Sequence, residues 1–143
     1  MIKNNFNFVE KLRTSGLRPT KQRIKICEVL FNTDKTFHFT INDLSKIMSD
    51  KMNEKISLAT IYNTVDAFKK KGYLKEISIN SDKSYFDTNT SIHHHFFDED
   101  TNELIDCDQE NIEPINIKDN ITGKKINSVE VLIKVASDNQ NQK

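Results

Sequence analysis

The sequence predicts an α+β chain, with an N-terminal winged helix-turn-helix followed by a small α/β dimerisation domain. Apolar residues recur at helical spacing between residues 8 and 71, in segments that begin with capping side chains. The period then shortens, and two strand-like runs flank turn residues at 80–82, which indicates a β-hairpin. Short alternating segments follow and end at residues 129–135. Helices followed by a hairpin are typical of a winged helix-turn-helix.

The helix boundaries rest on individual capping residues. Gly16 ends the first predicted helix, and Thr20 caps the second. Thr40 and Asp43 form a capping box for the third helix. Ser57 caps the fourth, which covers residues 58–71. In the second half, residues 93–97 and 103–107 are predicted strands, and the segment 108–127 has no clear pattern.

Charge divides the chain into two halves. The net charge is zero, but residues 1–86 carry 16 basic and 9 acidic side chains, and residues 87–143 carry 5 and 12. A basic half can neutralise phosphates, whereas an acidic half suits cations. We therefore expect a DNA-binding domain at 1–86 and a dimerisation and metal- or haem-sensing domain at 87–143, with a disordered tail from about residue 138.

Composition argues against several classes of protein. No stretch approaches the ~20 apolar residues of a membrane span, and no secretory signal is recognisable, so a cytoplasmic protein without a membrane partner is expected. Cys27 and Cys107 are distant from each other and belong to no CxxC pair. The sequence therefore predicts neither a disulfide scaffold nor a structural zinc site held by cysteines.

The fourth helix is the predicted DNA-reading element. Its core face is assigned to Leu58, Ile61, Val65 and Phe68. The opposite face is small and polar, and Asn and Thr side chains there can contact base edges in the major groove. The predicted DNA-binding residues are Arg18, Lys21, Arg23, Ser57, Thr60, Tyr62 and Asn63. The alternatives are a solvated helix that contacts nothing and a winged helix that binds protein instead of DNA.

Three of the four histidines are consecutive. On a strand, His93 and His95 share one face, and His94 points to the other. Asp87 and Asp106 are nearby carboxylates, and mixed imidazole and carboxylate ligands suit Fe(II), Mn(II) or Zn(II). Histidine also ligates haem iron, which makes His93, His94 and His95 candidates for haem binding. The alternative is a polar surface strand without a ligand, and His38 alone is more typical of a polar loop.

The chain resembles the ferric uptake regulator (Fur) family. The matching stretches are Gly16-Leu17-Arg18-Pro19-Thr20-Lys21-Gln22-Arg23, His38 to Leu44, Ile56 to Val65, Gly72-Tyr73-Leu74, Phe86-Asp87, and the His-rich strand through Leu104-Ile105-Asp106. Within the family it is most similar to the iron response regulator (Irr) branch, because Phe86-Asp87-Thr88-Asn89 precedes the run from His93 to Phe97. The resemblance implies a dimeric regulator of iron and haem genes.

By position, the resemblance implies a metal site formed by five ligands, which are His38, Asp87, His93, His95 and Asp106. It assigns base recognition to Tyr62 and Asn63, and minor-groove binding to Arg18. The chain departs from the family in lacking the CxxC pair, in carrying Phe96 and Phe97, and in having no later histidine. A cysteine-held zinc and the family's second metal site are therefore expected to be absent.

The sequence therefore predicts an iron- or haem-responsive transcriptional regulator, mostly a repressor, that binds operator DNA as a homodimer. The alternative within the family is a peroxide-sensing repressor that depends on iron or manganese at the same ligands. A metal-dependent hydrolase is the alternative from another class, but no general base accompanies the His and Asp residues. We expect the protein not to be an enzyme.

Overall fold

The computed structural model describes residues 5–53 and 55–138. The disordered tail predicted from about residue 138 therefore lies outside the described residues, apart from its first position. The chain divides into two compact units, one ending at Thr90 and the other beginning at Ser91. Among the described residues, no helix is both long enough and apolar enough to cross a membrane.

The first unit combines a helical core with a small sheet. Its described elements are α1 (Asn5–Thr14), α2 (Lys21–Phe31), β1 (His38–Phe39), α3 (Ile41–Met52), α4 (Leu58–Lys71), β2 (Lys75–Asn80) and β3 (Lys83–Asp87). The strands are antiparallel in the order β1-β3-β2, and the β2–β3 hairpin is the wing. Helices α3 and α4 form the helix-turn-helix. The predicted helices and the predicted hairpin of this half are confirmed.

The caps form as the sequence predicts. The Thr20 and Ser57 hydroxyls accept hydrogen bonds from backbone N–H groups three residues later. Thr40 and Asp43 satisfy each other's backbone N–H groups in a complete capping box. Gly72 ends α4 with φ of 90°, a left-handed conformation that glycine adopts without a Cβ clash. These caps fix where α4 begins and ends.

One predicted core residue of α4 is wrong. Leu58 is 52% exposed, whereas Ile61, Val65 and Phe68 are fully buried. Leu58 is the first residue of the helix, and its side chain points back beyond the packed turns. Thr64 takes a buried position instead, and its hydroxyl donates to the carbonyl of Thr60 at 2.7 Å. That bond lets a polar side chain lie in the core.

A short strand replaces the loop expected around His38. Residues His38–Phe39 form β1 and pair with the end of β3. Phe39 is fully buried and stacks on Phe86, with ring centroids 5.8 Å apart. A two-residue strand is too short to show an alternating pattern, so hydrophobic periodicity cannot predict it.

The second unit is a three-stranded sheet. Its described elements are β4 (His94–Asp98), β5 (Glu103–Cys107), a 3-10 turn (Gln109–Asn111) and β6 (Leu132–Val135). The order is β5-β4-β6, with β4 and β5 antiparallel and β4 and β6 parallel. The His-rich strand begins one residue later than predicted, and the last strand begins at Leu132 instead of Val129. Residues 112–131 contain no helix, in line with the weak pattern there.

Candidate metal-binding groups and DNA-reading helix

His38 and Asp87 form a pair in the first unit. They are register partners across β1 and β3, and His38 Nε2 lies 3.2 Å from Asp87 Oδ2. The Asp87 carboxylate is 1% exposed, and its Oδ1 accepts a hydrogen bond from the Asn89 N–H at 2.8 Å. The Phe37 N–H donates to Thr88 Oγ1 at 3.0 Å, which continues the contact between the segments. Strand pairing between β1 and β3 and hydrogen bonds from the Phe37 and Asn89 N–H groups therefore hold the segments that carry His38 and Asp87.

His93, His95 and Asp106 form a second group, in the second unit. His95 and Asp106 are register partners across β4 and β5, and His95 Nε2 lies 3.3 Å from Asp106 Oδ1. His93 Nε2 lies 3.1 Å from the same oxygen. The two imidazole rings are 4.4 Å apart between centroids and almost fully buried, whereas the Asp106 side chain is 47% exposed. Three donor atoms thus converge on one face of the sheet.

The hydrogen bonding of His93 fixes which nitrogen can bind a cation. Its Nδ1 lies 2.8 Å from the Ser91 carbonyl, which only accepts, so Nδ1 carries a proton. In the neutral ring the Nε2 lone pair then faces Asp106 Oδ1, and these two acceptors repel unless a proton or a cation lies between them. Metal-ligating histidines are commonly oriented by such a carbonyl.

The separations between donor atoms fit a metal ion. Bonds of about 2.0–2.2 Å to nitrogen and oxygen place neighbouring ligands about 2.8–3.6 Å apart in octahedral or tetrahedral geometry. The distances of 3.2 Å in the first unit and 3.1 and 3.3 Å in the second fall in this range. The donor set contains nitrogen and oxygen without sulfur, which suits iron, manganese or zinc in the divalent state.

His94 has a different environment. Its Nδ1 accepts a hydrogen bond from the Val131 N–H at 2.9 Å, just before β6. Strand alternation directs its side chain to the face opposite His93 and His95. His94 is therefore occupied in holding the β6 segment, a role that the sequence did not indicate because Val131 is 37 residues away.

The N-terminal half of α4 presents the predicted base-contacting face. Tyr62 is 55% exposed, and Asn63 is also exposed. Thr60 is half-buried, and the Ser57 hydroxyl donates to the Thr60 hydroxyl at 2.9 Å. Tyr62 and Asn63 thus have the freest side chains on this face, while Ser57 and Thr60 shape the helix start.

The predicted basic residues differ in their surroundings. Arg18 and Lys21 are exposed, before and at the start of α2. Arg23 Nη1 donates to the Arg18 carbonyl at 3.0 Å, so Arg23 braces the loop that carries Arg18. The Arg23 Nε is buried and has no hydrogen-bond partner among the described residues. This brace could not be inferred from helical spacing alone.

Both cysteines are buried and free. Cys27 lies in the core of the first unit, and burial raises the pKa of its thiol to about 12. Cys107 lies on β5 of the second unit, and its thiol points to the Asp108 carbonyl at 3.9 Å.

A winged helix followed by a small sheet, with imidazole and carboxylate groups in each unit, defines the class: a DNA-binding regulator with candidate metal ligands. The chain belongs to the ferric uptake regulator family, whose model matches residues 14–135. The predicted fold class is thereby confirmed, and the family's members are transcription regulators.

Two curated relatives are peroxide regulators. The chain is 31% identical over 119 residues to the peroxide operon regulator of Bacillus subtilis, covering 82% of this chain and 80% of the relative. It is 35% identical over 98 residues to the peroxide-responsive repressor PerR of Staphylococcus epidermidis, covering 68% of this chain and 63% of the relative. These relatives do not support the iron response regulator branch.

Solved structures share the fold. The Vibrio cholerae ferric uptake regulator matches with a TM-score of 0.68 at 22% identity, covering 90% of this chain and 98% of that one. The Pseudomonas aeruginosa ferric uptake regulator, solved with manganese, matches with a TM-score of 0.66 at 21% identity, covering 91% and 97%.

Proposed function

We propose that the protein is a peroxide-responsive, metal-dependent repressor that binds operator DNA as a homodimer. The names of the relatives support this alternative over the iron- or haem-responsive interpretation. The donor groups support it as well, because the three consecutive imidazoles do not share one face on which haem could lie.

The observation that carries the proposal is the group of His93, His95 and Asp106. Two buried imidazole nitrogens approach one carboxylate oxygen within 3.3 Å, and the Ser91 carbonyl orients the His93 ring. This arrangement needs a cation or a proton between acceptors, and a divalent metal fits the distances.

We assign His38 and Asp87 to the same metal ion, which would then have three imidazole nitrogens and two carboxylate oxygens as ligands. The two residues already form a pair of their own at 3.2 Å. Asp87 and His93 are six residues apart, so the chain between their Cα atoms spans at most about 20 Å. A shared ion would couple the DNA-binding unit to the dimerisation unit.

The residues of the chain prepare the site for a small oxidant. When bound, iron(II) would supply electrons for the reduction of peroxide beside oxidisable imidazole rings. His93 and His95 are 6% and 4% exposed, so an oxidant formed at the metal would meet these rings with little competing solvent. Oxidation of either ring would remove a ligand and release the link between the two units.

DNA binding is assigned to α4 and the basic residues before it. Tyr62 and Asn63 contact bases in the major groove, and Ser57 and Thr60 place the helix N-terminus near a phosphate. Arg18 binds the minor groove or the backbone, supported by Arg23, and Lys21 contributes a phosphate contact.

Dimerisation is assigned to the second unit. Its segment between the 3-10 turn and β6 exposes several isoleucines at 42–74%, which are Ile115, Ile117, Ile121 and Ile126. Exposed apolar side chains of this kind, in a unit with a small core, are typical of an interface. A dimer would present two α4 helices to two half-sites.

The test is an operator-binding titration with the protein loaded with Fe(II) or with Mn(II), before and after hydrogen peroxide. The proposal predicts metal-dependent binding in both cases, loss of binding after peroxide only with iron, and an added oxygen on His38, His93 or His95 by mass spectrometry. Operator binding that depends on neither metal nor peroxide, or a Soret band from bound haem, would contradict the proposal.

A further inference from the structure

A forked contact ties the wing to the far end of α4. The Glu76 carboxylate on β2 contacts Lys69 Nζ through Oε1 at 2.6 Å and accepts the Ser84 hydroxyl at Oε2 at 2.7 Å. Lys69 belongs to α4, and Ser84 belongs to β3. One carboxylate thus joins the helix and both strands of the wing.

The neighbouring ion pair on α4 does not connect the helix to the wing. Lys70 Nζ lies 2.9 Å from Asp66 Oδ2, and both residues belong to the same helix, four positions apart. The two pairs lie near the same helix end, involve one lysine and one carboxylate each, and are partly exposed. Only the Glu76 pair crosses between two elements.

The contact between Glu76 and Lys69 favours the charged form of both side chains. The bond to Lys69 and then the bond to Ser84 lower the pKa of Glu76, and the bond to Glu76 raises the pKa of Lys69. Both groups are therefore ionised throughout the neutral range.

We propose that Glu76 is a positioning residue for DNA recognition, which sets the angle between the wing and α4 through Lys69 and Ser84. This rests on the proposed assignment of α4 as the DNA-reading helix. A winged helix binds specifically when helix and wing contact the same duplex together, so their relative angle determines specificity. The wing carries Lys83 at the start of β3, and a wing that reaches the duplex would bring this positive charge to a phosphate.

Electrostatics alone makes the opposite prediction. Glu76 is a negative charge near a polyanion, and neutralising it would also release Lys69 for a phosphate. Without a positioning role, Glu76→Gln would therefore bind all DNA more tightly. With a positioning role, it would bind random DNA more tightly but lose affinity for the operator relative to random DNA.

The experiment measures affinities of the Mn(II)-loaded full-length protein for two duplexes. One is a duplex selected by the wild type from a random library, and the other is a scrambled duplex of equal length. Asp66→Asn is the matched control, because it removes the same charge from the pair that stays within α4. Thermal unfolding followed by circular dichroism verifies that each variant is folded.

We expect Glu76→Gln to lower the ratio of operator to scrambled affinity by about three- to tenfold, the size of a typical coupling between contacting residues. Asp66→Asn should leave the ratio within about twofold. Lys69→Met should reproduce the loss, and the double variant should lose no more than either single one. Hydroxyl-radical footprints should lose the wing contacts in Glu76→Gln.

If Glu76→Gln matches Asp66→Asn, the positioning role is overturned while the proposed function stands. If the wild type selects no duplex or does not distinguish it from the scrambled one, the proposed function fails and the positioning role with it. Ser84→Ala, which removes only one arm of the fork, gives the same test if Glu76→Gln does not fold, and an unchanged ratio there would overturn the proposal.

Discussion

His38 and Asp87 face each other across the β1–β3 ladder, with 3.2 Å between the imidazole Nε2 and the carboxylate Oδ2. Asp87 is the last residue of β3, the second strand of the wing, which begins at Lys83. A ligand held at Asp87 therefore acts on a strand that also carries Ser84, which is hydrogen-bonded to Glu76. The predicted metal ligand Asp87 and the wing residue that bonds to Glu76 thus lie on the same strand of the first unit.

Replacing the neighbouring histidines His93 and His95 should strongly weaken metal binding. We expect His93→Ala combined with His95→Ala to weaken Mn(II) binding by more than about 100-fold, since two ligands exceed the loss usual for a residue that merely orients one. Isothermal titration calorimetry measures the affinity. The matched control is His94→Asn, whose side-chain oxygen can still accept from the Val131 N–H. Equal loss in the control would count against the assignment.

Asn63 should determine which sequence is bound. Asn63→Ala should weaken operator binding by about 5- to 150-fold and leave affinity for random DNA unchanged, because a lost bidentate contact to adenine costs about 1–3 kcal/mol. Lys21→Ala should instead weaken binding to all duplexes and reduce the slope of log affinity against log salt by about one. Fluorescence anisotropy at several salt concentrations separates the two effects. A uniform loss in Asn63→Ala would show that it reads no base.

Cys27 should be inert in the folded protein. Burial raises its pKa from 9.0 to about 12, so at pH 9 the folded protein holds about 500-fold less thiolate than the unfolded chain. Alkylation by iodoacetamide should accordingly be more than about 100-fold slower in the native protein than in guanidinium chloride. The buried neutral thiol contributes stability that is fully present below pH 9 and is lost as the pH rises toward 12.

The same burial predicts that the peroxide response does not depend on cysteine. The double variant Cys27→Ala and Cys107→Ala should still lose operator binding after peroxide when loaded with iron. Retained DNA binding after peroxide in this variant, with a full response in the wild type, would transfer the sensing role from histidine to a thiol.

The second unit should dimerise through its exposed isoleucines. Ile121 is 74% exposed, and Ile121→Glu should shift the dimer toward monomer and weaken operator binding, because a buried charge at an interface is costly. Sedimentation velocity measures the change. Ile121→Val is the conservative control and should remain dimeric. A wild type that is monomeric at micromolar concentration, or an unchanged dimer in Ile121→Glu, would contradict this assignment.

Local signals made much of the first unit predictable. Thr20, Thr40 and Ser57 bond to nearby backbone groups, so their effect is visible within four residues of sequence. The assignment of Leu58 to the core is wrong because hydrophobic periodicity does not show that Leu58 is the first residue of the helix. The strand containing His38 was missed because it exists only through pairing with Asp87, 49 residues later.

The candidate site was predictable as a list of residues but not as an arrangement. Strand alternation correctly separated His94 from His93 and His95. The carbonyl of Ser91 behind His93, the amide of Val131 behind His94 and the Glu76 fork all depend on tertiary contacts. No spacing rule points to them.

The central claim is that His38, Asp87, His93, His95 and Asp106 hold one divalent metal ion. X-ray absorption at the metal K-edge of the protein loaded with one equivalent of Mn(II) tests it most directly. The account predicts a shell of nitrogen and oxygen only, with multiple-scattering features of three imidazoles, falling to two in His38→Ala. A shell containing sulfur, or an unchanged imidazole number in His38→Ala, would contradict it.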